Sequence, residues 1–122
     1  MDYSTLYKYR ASSIWYQKNL ELRKHLFKAK IIPKLKEWKI FESHTKMVDI
    51  GCGQGDKSDI ISRNLKNNSS LISLELSQHM INSAKKRYPR LGDKIIRDDA
   101  LLLSKLKGLY DVMFYIQILQ HF

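Results

Sequence analysis

Across residues 12–41, apolar side chains recur three and four positions apart, at Leu20, Leu22, Leu26, Phe27, Ile31, Ile32, Leu35 and Trp38, with lysines and arginines between them. That period belongs to an amphipathic helix. Pro33 has no backbone N–H and its ring collides with the preceding turn, so the helix is predicted in two pieces, with a kink or a fresh start there. The polar break Glu42-Ser43-His44-Thr45 closes this segment, and the pattern then changes to short apolar runs alternating with helical stretches. Residues 47–50, 71–74, 94–97 and 111–116 read as strands, and residues 57–65, 78–87 and 100–106 as helices. Asn67-Asn68-Ser69-Ser70 and Tyr88-Pro89 supply breaks, and Ser77 is a natural N-cap. Alternating strands and helices imply parallel pairing through right-handed crossovers. The fold class is therefore α/β, with a doubly wound, mostly parallel sheet and an N-terminal helical extension. No internal repeat or low-complexity tract is present.

The turn after the first strand carries the candidate chemistry. Val48-Asp49-Ile50 runs into Gly51-Cys52-Gly53-Gln54-Gly55 and then Asp56. In such sheets ligands bind at the carboxyl ends of the strands, and glycines there allow positive backbone angles and remove Cβ atoms that would collide with a ligand. A dinucleotide fingerprint needs a glycine where Asp56 stands, and no Gly-Lys-Ser/Thr ends the turn as a phosphate loop requires. The ligand expected is one without phosphates.

Glu75 ends the second strand, 24 residues after Gly51, where a carboxylate can accept hydrogen bonds from both hydroxyls of a ribose. Asp99, after the third strand, can accept from an adenine amino group, and Met80 can lie against the adenine face. Each has a packing alternative: strand-end acids also cap helices, and Met80 falls in a helical apolar series with Ile81 and Ala84. Their order and spacing together are what packing explains poorly.

Composition narrows the class. Hydrophobic residues make up 43% of the chain, with only five glycines and two prolines, which suits a globular domain rather than a disordered one. Its 122 residues make one domain at most, and few for a layered α/β enzyme. Cys52 is the single cysteine, so an intrachain disulfide and a cysteine-based zinc cluster are excluded, in keeping with a reducing compartment. No apolar run reaches the roughly 18 residues of a membrane span, and the N-terminus has no cationic stretch followed by an apolar one. A cytoplasmic protein without a membrane partner is expected. The net charge of +10 leans to the N-terminus, with ten Lys/Arg against four Asp/Glu in residues 1–45 and twelve against eight in the rest. The lean is modest, and a solvated surface accounts for it more simply than a bound polyanion.

Residues 46–122 resemble the first half of a class I S-adenosylmethionine-dependent methyltransferase, with VDIGCGQGD as its first motif, LELSQHMI as its second, RDDA as its third and YDVMFYIQILQHF as its fourth. The resemblance implies a Rossmann-like sheet and S-adenosyl-L-methionine as cofactor. It implies that Asp49, Gly51, Gly53 and Gly55 surround the amino acid portion of the cofactor, with Cys52 an ordinary residue among them rather than a nucleophile. Glu75, followed by Leu76, would serve the ribose; Asp99 and Ala100, with Met80, the adenine; Gln117 would border cofactor and acceptor. No catalytic base and no metal are implied. Residues 1–45 resemble, less specifically, the helical lid that often precedes this domain. The family sheet has the order 3-2-1-4-5-7-6, so the chain is expected to be truncated after the fourth strand, incomplete as an enzyme, and silent toward any acceptor by itself. Its fourth strand would form an exposed apolar edge through which chains self-associate. A small-molecule acceptor is preferred to a nucleic acid. The other readings are a non-catalytic binding or interaction module on the same fold, an RNA methyltransferase and, more remotely, a nicotinamide-dependent oxidoreductase.

Overall fold

The sheet is organised around β1 (Lys46–Ile50), whose last four residues are buried. The structure, a computed structural model, describes residues 14–42, 44–66, 68–98 and 110–114, with side chains from Leu20 onward. β2 (Ser70–Glu75) and β4 (Val112–Phe114) flank β1, and β3 (Ile95–Arg97) lies outside β2, giving the order β3-β2-β1-β4. All three pairings are parallel. The order reverses between β1 and β4, and at such a reversal the loops beyond the strand ends part to leave room for a ligand. The α/β, Rossmann-like class read from the alternating pattern is the observed one.

Helices α1 (Ile14–Leu26) and α2 (Ile32–Glu37) precede the sheet, α3 (Asp56–Ser62) follows β1 and α4 (Gln78–Arg87) follows β2, the chain order expected. A π-helical turn, Phe27–Ile31, joins α1 to α2. The cause is Pro33, in the first turn of α2. In a continuous α-helix its ring would meet the Ala29 carbonyl four residues back, and the widened turn, with Ile32 N–H donating to the Phe27 carbonyl, relieves that conflict.

One apolar cluster lies on the sheet face of Met47 and Leu71, where Phe27, Ile32, Leu35, Phe41, Ile60, Ile61 and Phe114 close around them. On the same face Ile81, Ala84, Leu91 and Ile95 pack α4 against β3. Val48, Ile50 and Leu74 form the core of the opposite face, with Ile72, Ile96 and Tyr110 partly buried against it. The helix expected at 100–106 lies outside the described residues, as does the strand expected beyond Phe114.

Candidate functional site

Three left-handed glycines shape the turn between β1 and α3. Gly51, Gly53 and Gly55 have φ of 74°, 59° and 84°, a region in which a side chain strains the backbone. The Gly51 and Cys52 amides both donate to the Leu74 carbonyl, at 2.8 and 2.9 Å, which fastens the turn to the end of β2. The glycines then differ in their surroundings. Among the described residues a Cβ at Gly53 would meet nothing within 4 Å, whereas one at Gly55 would lie 2.9 Å from Leu91 Cδ1 and 3.1 Å from the Ala84 Cβ. Gly53 is therefore open on the side of the described residues, and Gly55 is the contact that lets α4 close on the turn. Burial pushes the Cys52 thiol well above its ordinary range, which disfavours the thiolate.

Glu75 joins this turn directly. Its Oε1 accepts from the Gly53 amide at 2.9 Å and its Oε2 from the Ser77 amide at 2.8 Å. Burial raises its carboxyl above the ordinary range, opposed by the Ser77, Gly53 and Leu76 amides. A carboxylate has about four lone-pair sites, so the group keeps acceptor capacity beyond these backbone donors. Leu76, 44% exposed, leaves an apolar surface beside it. Ser77 caps α4 by accepting from the Met80 amide at 3.3 Å, and Met80 is buried beneath that first turn.

Beneath the turn lies a buried polar relay. Register places Ser73 opposite Asp49, and α3 brings Ser58 between them. Ser58 Oγ donates to Asp49 Oδ2 at 2.6 Å, which leaves Ser73 as donor in the 2.7 Å contact between the two hydroxyls. Burial pushes the Asp49 carboxyl from 3.8 up to about 6, against the lowering effect of Ser58. The folded form thus holds this proton more tightly than the unfolded chain does. The associated stability is fully present below about pH 4 and is lost as the pH rises through 6, a span worth about 3 kcal/mol. Asp49→Asn keeps an acceptor for Ser58 but cannot ionise. Urea midpoints measured from pH 4 to pH 7 should fall less steeply for this variant, with the contribution of Glu75 remaining; an unchanged slope would show that Asp49 is not the group responsible.

Of the residues singled out in the sequence, Asp49, Gly51, Cys52, Gly53, Gly55, Glu75, Leu76 and Met80 converge on the ends of β1 and β2. Asp99, Ala100 and Gln117 lie outside the described residues. Ser58 and Ser73 were missed. Ser73 carried a readable signal, a polar residue in an apolar strand on the same face as Glu75. Gln54 was missed as well: it is buried, its Oε1 accepts from Ser83 Oγ and Arg87 Nη1, and its Nε2 has no partner among the described residues. Among the described residues no group of three or more His, Cys, Asp or Glu could hold a metal ion, and no helix is long and apolar enough to cross a membrane.

A parallel sheet with its strand reversal beside a glycine turn, and an acid at the next strand end bonded to that turn, defines a Rossmann-like α/β domain as the class. The family follows from comparison. A methyltransferase-domain model matches residues 47–122, and the chain belongs to that family, consistent with the class I resemblance of its motifs. Solved structures share the fold. A protein-L-isoaspartate O-methyltransferase aligns with a TM-score of 0.53 and 24% identity over 69% of this chain and 27% of its own. A S-adenosylmethionine-dependent methyltransferase from Clostridium acetobutylicum aligns with a TM-score of 0.51 and 22% identity over 80% of this chain and 42% of its own. The chain thus spans less than half the length of either structure. No curated protein matches it.

Proposed function

We propose that the turn Gly51–Gly55 and Glu75 bind S-adenosylmethionine, and that the protein serves methyl transfer from it to a nucleophilic acceptor. The observation that carries this reading is the 2.9 Å bond from the Gly53 amide to Glu75 Oε1, which makes the open glycine and the strand-end acid a single site. The residues present fit the cofactor. Gly53 leaves space where a Cβ would stand, Glu75 has lone pairs for ribose hydroxyls, and the turn lacks the phosphate-binding features that a dinucleotide or nucleotide triphosphate would need. When bound, S-adenosylmethionine supplies a methyl group activated by its positive sulfur. The chain's own part is to bind and orient: Glu75 holds the ribose and the glycine turn the amino acid end, so that the methyl is presented in line to the acceptor.

Calorimetry with S-adenosylhomocysteine, the product left after methyl transfer, should give saturable binding at one site per chain, while NAD gives none. Binding of NAD without S-adenosylhomocysteine would replace this reading with the oxidoreductase one. A small-molecule acceptor remains the preferred substrate class. An RNA acceptor is favoured by one observation, Trp38, which is 63% exposed in the run Lys36-Glu37-Trp38-Lys39, where it could stack on a base beside two lysines. Labelled methyl incorporated by cell extract into RNA rather than into the small-molecule fraction would decide for it.

A further inference from the structure

Asp56 follows the last glycine of the turn and is buried, with three groups from elsewhere in the chain converging on its Oδ1. The Tyr88 hydroxyl donates to it, Arg87 Nη2 lies 3.3 Å away, and Lys24 Nζ of α1 lies 4.0 Å away. Arg87 has a second task. Its Nη1 donates to Gln54 Oε1 at 2.5 Å, so a single guanidinium at the end of α4 holds the residues on both sides of Gly55. The Tyr88 ring closes the same space: Lys24 Nζ and the Arg87 guanidinium carbon lie 5.8 and 5.6 Å from its centre, and its Cδ2 would stand 3.5 Å from a Cβ at Gly55. A carboxylate as buried as Asp56 needs such partners, because removing one leaves charge without compensation.

We propose that Asp56 and Arg87 are positioning residues that clamp the glycine turn in the form that receives a ligand, and that Lys24 couples the seating of the N-terminal helix to this clamp. The ligand part rests on the reading given under Proposed function; the clamp itself does not. Gln54 and Asp56 cannot both stay with Arg87 if the turn swings away from α4. Without the clamp, left-handed glycines at positions 51, 53 and 55 give the turn many alternative conformations. α1 reaches the clamp through Lys24, so loss of that contact should loosen the turn without touching its backbone.

Cys52, the single cysteine, sits half-buried in the same turn and reports its opening. The test is the rate at which iodoacetamide alkylates Cys52 in the native protein, followed by intact mass. Arg87→Met should raise that rate about tenfold or more, the factor that corresponds to losing one hydrogen bond to a charged group, and Lys24→Met should raise it by a smaller factor. Arg87→Lys, which keeps the charge toward Asp56, should recover part of the protection. Lys34→Met removes the solvent-exposed Lys34–Glu37 pair of α2 and should leave the rate unchanged. Ile61→Val lowers stability from the core and separates a local clamp from general loosening. Equal rates for Ile61→Val and Arg87→Met, or a wild-type rate for Arg87→Met, would overturn the clamp. S-adenosylhomocysteine affinity, measured on the folded variants, should fall about tenfold for Arg87→Met; unchanged affinity would overturn the positioning role. A wild-type protein that does not bind S-adenosylhomocysteine at all would refute the proposed function, and the alkylation rates would still judge the clamp.

Discussion

Glu75→Ala should lower the affinity for S-adenosylhomocysteine by about 1 to 3 kcal/mol, roughly five- to 150-fold, in a protein that still folds. The structure shows why the effect has two parts. The carboxylate already accepts from the Gly53 and Ser77 amides, so the variant loses acceptors for the ribose and also removes one of the turn's ties to β2, leaving those of Gly51 and Cys52 to Leu74. Against this, removal of a buried carboxylate held above its ordinary pKa relieves a desolvation cost. Stability should therefore fall less than affinity. Glu75→Gln separates the contributions, because its amide retains one acceptor and loses the charge; it should keep more stability than the alanine variant but bind ligand nearly as poorly. Calorimetry beside urea unfolding reads both quantities. Affinity unchanged in a folded Glu75→Ala protein would remove Glu75 from the site.

Much of this arrangement was legible because it depends on short-range pattern. The run 47–50, the glycines behind it and Glu75 at the end of the next strand specify strand, turn and acid within thirty residues. Parallel pairing followed from alternating elements and right-handed crossovers, rules that need no side-chain detail, whereas the strand order was what the family resemblance implied. Helix ends were less readable. The helix expected over 57–65 stops at Ser62, where Ser62 Oγ donates to the Asp59 carbonyl and Asn64 Nδ2 to the Ile60 carbonyl, taking acceptors from the main chain.

The N-terminal apolar stripe was legible only in part. Leu20, Phe27, Ile32 and Leu35 are buried, while Leu22, Leu26, Ile31 and Trp38 are exposed. A constant 3.6-residue period treats the two sets as one face, and the π-helical turn breaks that period. Asp56 shows the same limit from another side. Sequence marked it as a poor neighbour for pyrophosphate; its partners Arg87 and Tyr88 lie more than thirty positions away, and only the packing of α4 on the turn brings them together.

Gly53 and Gly55 should give opposite results, although they look equivalent in the sequence. Both have positive φ, so any side chain at either position strains the backbone by about 1 to 3 kcal/mol. At Gly55 a Cβ also meets Leu91 at 2.9 Å and Ala84 at 3.1 Å, and neither neighbour has room to retreat, since Leu91 and Ala84 are both buried between α4 and β3. Overpacking adds about 1 to 3 kcal/mol. Gly55→Ala should therefore lower the melting temperature by several degrees for each kcal/mol lost, while the molecules that remain folded bind S-adenosylhomocysteine with much of their affinity. At Gly53 none of the described residues stands within 4 Å of the new Cβ, so Gly53→Val should suffer chiefly the strain. Its isopropyl group would instead fill the space assigned to the ligand, and binding should be lost at concentrations that saturate the wild type. Thermal unfolding and calorimetry on the two variants should give crossed results: stability lost with binding kept at Gly55, binding lost with most stability kept at Gly53. A folded Gly53→Val protein with wild-type affinity would mean that the open side of the turn is not where the ligand lies.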